Sequence, residues 1–176
     1  MLIDGYEIRE AGTAGEEGVT LVAAAMGYSY DKEKNLEKFE TLIDLAAQKG
    51  AQLLVFPEQS LQGYVYEDEE SSWELKPEVL QYQYENSETI PGPSTKRIQE
   101  LARQHGMVIS FGMTERHATY GKGKGGLYNA AVILSGDGVL GVQRKMHICG
   151  SEKHIYSRGR EFPVVDTDLG RIGAVV

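Results

Sequence analysis

The sequence predicts an α/β fold, and the order of its apolar segments is the basis of the prediction. An apolar run over residues 19–26 is followed by a helical pattern over 31–49 and by a second apolar run over 52–56. Strand, helix and strand in this order form a βαβ unit with parallel strands. Later strands are joined by short turns, which is typical of antiparallel hairpins.

The first strand, over 19–26, is apolar at nearly every position, as expected of a strand that is covered on both faces. In the helix over 31–49 the apolar residues recur at helical spacing, at Leu36, Phe39, Ile43 and Ala47. Gly50 stands where a left-handed residue ends a helix. Pro57 ends the second strand, because proline cannot donate a hydrogen bond to a neighbouring strand.

The middle of the chain is the least regular part. Residues 61–90 hold several tyrosines, the only tryptophan and the acidic run 67–70, and we expect a loop with a short helix. A second long helix should begin after 91–93, with Ser94 as its N-cap and Gly106 at its end.

Five further strands complete the pattern. They are predicted over residues 107–113, 127–134, 139–144, 162–167 and 172–176. The turn 135–138 joins two of them, and the turn 168–170 joins the last pair. Residues 1–18 show no sustained period and are interpreted as a flexible N-terminal arm, so that 19–176 form part of one domain. We expect the fold to continue beyond the final strand.

The composition argues against a membrane protein and against a nucleic-acid-binding protein. With 41% hydrophobic residues and no apolar run of membrane-spanning length, the 176-residue chain is typical of a soluble folded protein without a membrane role. A net charge of -8 argues against a nucleic-acid partner. The N-terminus does not resemble a secretory signal, and the single cysteine, Cys149, fits a reducing compartment, so we expect a cytoplasmic protein.

Glu58 is the first candidate for chemistry. It directly follows a buried strand, at the edge of the sheet where ligands and reactive groups collect in α/β proteins. A carboxylate that loses part of its hydration there binds a proton more readily, which suits a general base. Taken alone, a glutamate at this position is more often a helix cap or a charged loop residue.

Lys145 and Glu152 are the other candidates. A lysine at a strand end can stabilise an oxyanion if a nearby carboxylate keeps it charged. Glu152, seven residues later, could pair with that lysine or orient a substrate. Each residue alone is equally compatible with a solvated surface charge.

Two alternative sites receive little support. His147, Cys149 and His154 offer metal ligands, but their spacing lacks the paired pattern of a zinc site. The glycine-rich segment 121–126 fails the phosphate-binding pattern and lies between strands, so we interpret it as a hairpin loop. We therefore predict neither a metal nor a cofactor.

Together these segments resemble the nitrilase superfamily of carbon–nitrogen hydrolases. The resemblance rests on LLVFPE, which ends in Glu58 and is followed by Gly63 and Tyr64, on GMTER, on LYNAAVILSGDGVLGVQRKMH, on SEKHIYSRG and on DTDLGRIGAVV, in this order. It covers nearly the whole chain from Val19, and the joint order is more specific than any single motif. The resemblance implies a four-layer α-β-β-α sandwich of the nitrilase type, incomplete in this chain.

The resemblance also implies a Glu-Lys-Cys triad. By position, Glu58 matches the general base, Lys145 the lysine that stabilises the tetrahedral intermediate, and Glu152 a substrate-orienting glutamate. The nucleophilic cysteine is expected just beyond Val176. Cys149 does not match that position.

The expected activity is hydrolysis of an amide, carbamoyl or nitrile C–N bond through a thioester. Amides and carbamoyl compounds are expected ahead of nitriles, and a homodimer or larger homo-oligomer is expected. Two alternatives stay open: an inactive homologue that acts as an assembly or binding partner, and an unrelated binding module. In the second case Glu58 and Lys145 would form a structural ion pair that does not converge with Glu152.

Overall fold

A mixed five-stranded sheet forms the framework of the protein. The computed structural model describes residues 2–3, 6–7, 18–64, 76–117 and 126–176. Near the start, β1 (Leu2–Ile3) and β2 (Tyr6–Glu7) pair as a separate antiparallel ribbon. The main sheet has the spatial order β3 (Leu21–Ala23), β4 (Leu53–Val55), β5 (Val108–Arg116), β6 (Leu127–Ser135) and β7 (Gly138–Arg144).

The strand directions confirm the predicted change from parallel to antiparallel pairing. β3, β4 and β5 run parallel, whereas β6 is antiparallel to both β5 and β7. Because two reversals separate β5 from β7, β7 runs in the same direction as β4. The carboxyl ends of β4 and β7 therefore lie at the same edge of the sheet.

The two long helices confirm the helical patterns. They are α1 (Lys32–Gln48) and α3 (Pro93–His105), with the shorter α2 (Pro77–Asn86) between them. Asp31 caps α1 by accepting a hydrogen bond from the Lys34 N–H at 3.2 Å. Gly106 ends α3 with φ of 65°, a left-handed conformation that glycine adopts without a steric penalty.

Ser94 is not the N-cap of α3, which is a correction to the sequence prediction. Gly92 occupies that position, and Ser94 lies inside the first turn. The buried carboxylate of Glu88 takes over the capping role: it accepts from the Ser94 N–H at 2.8 Å and from the Ser94 hydroxyl at 2.7 Å. The cap therefore comes from a residue outside the helix.

The first strand is shorter and more exposed than its apolar sequence predicts. Only Leu21–Ala23 pair, and Leu21 is 57% exposed. β3 lies at the edge of the sheet, with β4 as its one neighbour in the main sheet. Among the described residues, only the face of β3 that carries Val22 packs against the core, so the expectation of two covered faces is wrong.

The main core lies between one face of the sheet and helices α1 and α3. Phe39 of α1 stacks on Phe56 at a centroid distance of 4.0 Å and meets Phe111 of β5 edge-on at 5.6 Å. Ile98 of α3 is fully buried in the same cluster. Each such aromatic or aliphatic side chain contributes about 1.5–3 kcal/mol by leaving water, which holds the helices on the sheet.

A hairpin covers part of the opposite face. It consists of β8 (Val164–Thr167) and β9 (Gly170–Gly173), and Val165 lies against Gly141 of β7. Helices, sheet and hairpin thus form successive layers, in agreement with the predicted α/β class and with part of an α-β-β-α sandwich. β9 ends three residues before Val176, earlier than predicted, and its four residues pair with the four residues of β8.

Several predictions fall on residues outside the described ranges. They are most of the arm over 1–18, the acidic run 67–70 and the glycine-rich loop over 121–125. In the described part of the chain, no helix combines the length and apolar character needed to cross a membrane.

Candidate active site

Three segments bring the predicted site residues together. Glu58 follows β4 and Lys145 follows β7, so both extend from the same edge of the sheet. Glu152 lies in a short 3-10 helix, Gly150–His154, directly after the Lys145 segment. The Lys145 ammonium lies 2.7 Å from Glu58 Oε1 and 2.9 Å from Glu152 Oε2.

Glu58, Lys145 and Glu152 converge at one point. A structural ion pair between Glu58 and Lys145 alone would not include Glu152. Lys145 is 8% exposed and Glu152 is 3% exposed, so the ammonium and one carboxylate are almost entirely removed from water. The Glu58 side chain keeps 33% of its exposure. Its Oε2 has no hydrogen-bond partner among the described residues, so one carboxylate oxygen remains available to bind a proton.

The two carboxylates keep Lys145 charged. Burial alone lowers the pKa of Lys145, but the hydrogen bonds and negative charges of Glu58 and Glu152 outweigh it and raise the pKa above the usual 10.5. An ammonium carries three protons, and two are directed at these carboxylates. The third has no acceptor within the described ranges and can serve an oxyanion.

Tyr64 lies near the same charges. Burial raises the pKa of its phenol, and the negative charges of Glu58 and Glu152 add to the increase. Tyr64 therefore stays neutral at ordinary pH. In the sequence analysis it entered only as part of the family resemblance.

Asn129 is a site residue that the sequence analysis missed. Its Nδ2 donates to Glu58 Oε1 at 2.6 Å and to Glu152 Oε1 at 2.8 Å, and the residue is fully buried on β6. Its backbone oxygen accepts from the Lys145 N–H at 2.8 Å. A polar residue in the middle of an apolar strand was the signal that could have identified it.

A buried network of polar side chains lies next to the site residues. The Thr114 hydroxyl lies 3.0 Å from Gln59 Oε1, 2.6 Å from Gln83 Oε1 and 3.0 Å from the Tyr156 hydroxyl. Gln59 follows Glu58 directly and has a φ of 54°, a left-handed conformation that is uncommon outside glycine. The network therefore fixes a strained turn next to Glu58.

The sulfur and imidazole candidates are exposed side chains, and Cys149 lies beside the site. Cys149 is exposed, and its Sγ lies 3.6 Å from Glu152 Oε2. His147 and His154 are also exposed. Among the described residues, no group of three or more His, Cys, Asp and Glu side chains is arranged to hold a metal ion.

Structural comparison places this fold among known proteins. Saccharomyces cerevisiae Nit3, a member of branch 10 of the nitrilase superfamily, matches with a TM-score of 0.65 and 24% identity over 84% of this chain and 50% of that one. An amidase from Nesterenkonia sp. matches with a TM-score of 0.62 and 18% identity over 88% of this chain and 54% of that one. At these identities the comparison establishes the fold.

Sequence comparison identifies relatives. A cyanide hydratase of Stereum hirsutum is 34% identical over 149 residues, which are 82% of this chain and 38% of the relative. A nitrilase of Paraburkholderia phymatum is 33% identical over 164 residues, which are 87% of this chain and 45% of the relative. The chain thus spans about half or less of the length of these relatives. The sequence model of the family described as "Carbon-nitrogen hydrolase" matches residues 18–176, and the chain belongs to that family.

Proposed function

We propose that this chain carries the general base and the oxyanion-binding lysine of a hydrolase that cleaves C–N bonds through a thioester. The observation that supports it most directly is the position of the Lys145 ammonium between Glu58 and Glu152. That arrangement supplies a fixed positive charge next to a carboxylate with a free oxygen. Acyl transfer from a thiol nucleophile needs both.

In the first half of the proposed reaction, Glu58 Oε2 accepts the proton of the cysteine thiol. The thiolate then attacks the carbon of an amide or nitrile, and a C–S bond forms while negative charge develops on the amide oxygen or nitrile nitrogen. The third proton of Lys145 stabilises this charge by a charge-assisted hydrogen bond. Lys145 remains protonated because both glutamates surround it.

In the second half, ammonia leaves. For an amide, Glu58 returns its proton to the nitrogen as the C–N bond breaks, which leaves a thioester. For a nitrile, one water molecule first adds to the thioimidate, and the same C–N cleavage follows. In both cases Glu58 then takes a proton from a further water molecule, which is the first for an amide and the second for a nitrile. This water attacks the thioester and releases the carboxylic acid and the thiol.

We propose that a cysteine in a continuation beyond Val176 supplies the nucleophile. The Val176 N–H donates to Gln143 Oε1 at 3.1 Å, so the last residue lies against β7. Gln143 and Lys145 are two positions apart along the same segment and therefore extend to the same side. A residue that follows Val176 would be delivered close to Lys145. A mutant of the amidase from Nesterenkonia sp. AN1, which shares the fold, carries the acetamide moiety of fluoroacetamide covalently bound at its active-site cysteine.

Small nitriles and amides are the proposed substrates. The sequence alone favoured amides and carbamoyl compounds, but the relatives include an aliphatic nitrilase of Rhodococcus rhodochrous at 30% identity and a bromoxynil-specific nitrilase of Klebsiella at 28%. We therefore place nitriles first and keep amides second. Both classes present an electrophilic carbon bonded to nitrogen, which the Lys145 charge can activate.

Two large apolar side chains are exposed at the start of the hairpin. Phe162, two residues before β8, and Val164, the first residue of β8, are each 53% exposed, and a second copy or a continuation of the chain would cover them. We propose a homodimer or larger homo-oligomer in the cytoplasm. Light scattering on the purified full-length protein tests the first statement, and fractionation of source cells tests the second.

The test of function begins with the intact mass of the full-length protein, followed by ammonia release from a panel of nitriles, amides and carbamoyl compounds. Thiol alkylation is measured in a Cys149→Ser background, because the exposed Cys149 would otherwise react and could block Glu152. We expect a mass above 19.4 kDa and ammonia release that alkylation abolishes. No ammonia release from any substrate would instead favour an inactive homologue that acts in assembly or binding.

A further inference from the structure

One amide nitrogen joins the two glutamates of the site. Asn129 Nδ2 carries two protons, and it donates to Glu58 Oε1 at 2.6 Å and to Glu152 Oε1 at 2.8 Å. Each contact is short enough to be a charge-assisted hydrogen bond. The amide thus uses both of its donors on the two carboxylates that also hold Lys145.

The chemistry of the neighbours fixes the orientation of this amide. Ionised carboxylates only accept hydrogen bonds, so the carbonyl oxygen of Asn129 would be repelled if the side chain were rotated by half a turn. The same oxygen, Asn129 Oδ1, is buried and has no hydrogen-bond partner in the described part of the chain. A buried acceptor without a partner costs about 1–3 kcal/mol. The position therefore carries a stability cost alongside its contacts to the site.

The contacts determine which oxygen of Glu58 is free. Oε1 accepts from both Asn129 and Lys145, so its lone pairs are occupied, whereas Oε2 is left for the thiol or water. Donors also stabilise the charged form of a carboxylate. Without the amide, Glu58 would lose one of its two anchors and could rotate about its last side-chain bond.

We propose that Asn129 is a positioning residue that holds the carboxylates of Glu58 and Glu152 in place beside Lys145 and leaves Glu58 Oε2 directed toward the reacting atoms. The inference rests on the proposed function, since it assigns a role within the same site. Asn129 acts through the two glutamates, and its effect is expected on kcat and on the pH profile. KM should change by less than about threefold, because ground-state binding is not removed.

The test compares Asn129→Asp with a matched variant, Asn35→Asp. Asn35 is also a fully buried asparagine, but its amide donates to the Ser29 and Leu61 carbonyl oxygens, away from the site. Both substitutions keep the side-chain shape and replace the NH₂ donor by an acceptor. Only the substitution at 129 places a third carboxyl against Glu58 and Glu152.

The readout is the acid limb of kcat/KM for ammonia release, measured between pH 5 and 8.5. Besides Glu58, Glu152 and Lys145, the titratable groups that face this cluster within the described part of the chain are Tyr64, Tyr156 and Cys149. The pKa values of both tyrosines are raised by burial, so they stay neutral across this range. A Cys149→Ser background removes the thiol.

For Asn129→Asp we expect kcat to fall by about 10²-fold at pH 7.5, and the midpoint of the acid limb to rise by about 1 pH unit or more. Asn35→Asp should lower the melting temperature and leave the midpoint in place. If Asn129→Asp does not fold, Asn129→Ser replaces it as the test variant, because its hydroxyl offers one donor instead of two. For Asn129→Ser we expect a smaller rise of the acid-limb midpoint.

An active wild type whose acid limb stays unchanged in the Asn129 variants would overturn the positioning role alone. If the wild-type full-length protein released no ammonia, the proposed function would fail first, and the role of Asn129 would fall with it. The two failures are therefore distinguishable.

Discussion

The Arg144 guanidinium donates two hydrogen bonds to the Glu115 carboxylate, at 2.6 Å and 2.5 Å. Arg144 is the residue directly before Lys145. Glu115 is almost fully buried on β5, and the guanidinium also lies 4.4 Å from the centre of the Tyr128 ring. The planar guanidinium is hydrogen-bonded to the Glu115 carboxylate and also lies over the Tyr128 ring, so it can rotate little. The end of β7 is thereby tied across the sheet at the position from which Lys145 extends.

We predict that Arg144→Lys lowers the free energy of unfolding by about 1–3 kcal/mol, because lysine keeps the charge but cannot make the paired contact or stack on Tyr128. Urea unfolding at pH 7 measures the change. The matched control is Arg116→Lys at an exposed position near the end of β5, for which we expect a change within about 0.5 kcal/mol. Equal effects in the two variants would show that the paired geometry contributes nothing.

The elements with strong local signals were predictable from the sequence. α1 and α3 follow helical spacing and are ended by residues with the expected turn chemistry, such as Gly106. The hairpin turn between β6 and β7 was equally clear. Local patterns succeed here because helix ends and tight turns depend on a few adjacent residues.

The parts that were missed depend on contacts between distant residues. Glu88 caps α3 from outside the helix, and the exposure of Leu21 depends on its place at the sheet edge. In the site, Glu58 and Lys145 could be placed at strand ends, but Asn129 connects residues that are 71 and 23 positions away. No local pattern encodes such a bridge, since it depends on the register of β6.

We predict that Glu58→Gln lowers kcat/KM of the full-length protein by about 10²–10⁴-fold, because an amide cannot accept the thiol proton. The fold should persist, since glutamine can still accept from Lys145 and Asn129 with its carbonyl oxygen. Steady-state ammonia release measures the first effect and thermal unfolding the second. Glu37→Gln, on the exposed face of α1, is the control and should retain full activity. A Glu58→Gln enzyme with wild-type kcat/KM would exclude Glu58 as the base.

We predict that Lys145 does not titrate between pH 5 and 8.5, the range proposed for measuring ammonia release. Its pKa is raised in the folded state, so the pairing stabilises the fold fully below the unfolded pKa of 10.5 and is lost only as the pH rises through the higher folded pKa. The difference in unfolding free energy between wild type and Lys145→Met should therefore be constant from pH 8 to about pH 9.5 and shrink above it.

Urea unfolding across this pH series measures the difference, and Lys96→Met at an exposed position is the control. We expect about 3 kcal/mol for Lys145→Met, because two carboxylates lose their common cation, and a near-zero difference for the control. We also expect kcat to fall by about 10²–10³-fold in Lys145→Met through loss of the oxyanion contact. A difference that already declines between pH 8 and 9 would mean that Lys145 is not held charged.

The last prediction concerns Gly159, which lies against the strand end that carries Lys145. Its N–H donates to the Lys145 backbone oxygen at 2.9 Å, and a Cβ at this position would lie only 2.0 Å from the Arg144 backbone oxygen. Backbone cannot move aside as a flexible side chain can, so Gly159→Ala must displace the end of β7.

We expect Gly159→Ala to lower the free energy of unfolding by about 2–3 kcal/mol and to reduce kcat in the folded fraction, because the displacement moves Lys145 relative to Glu58. Gly27→Ala is the matched control, since a Cβ there meets no atom within 4 Å. Thermal unfolding and ammonia release, measured on both variants, separate the two effects. A loss of stability with kcat unchanged would show that Lys145 keeps its position independently of this contact, and that the Glu58 and Glu152 contacts alone fix the ammonium.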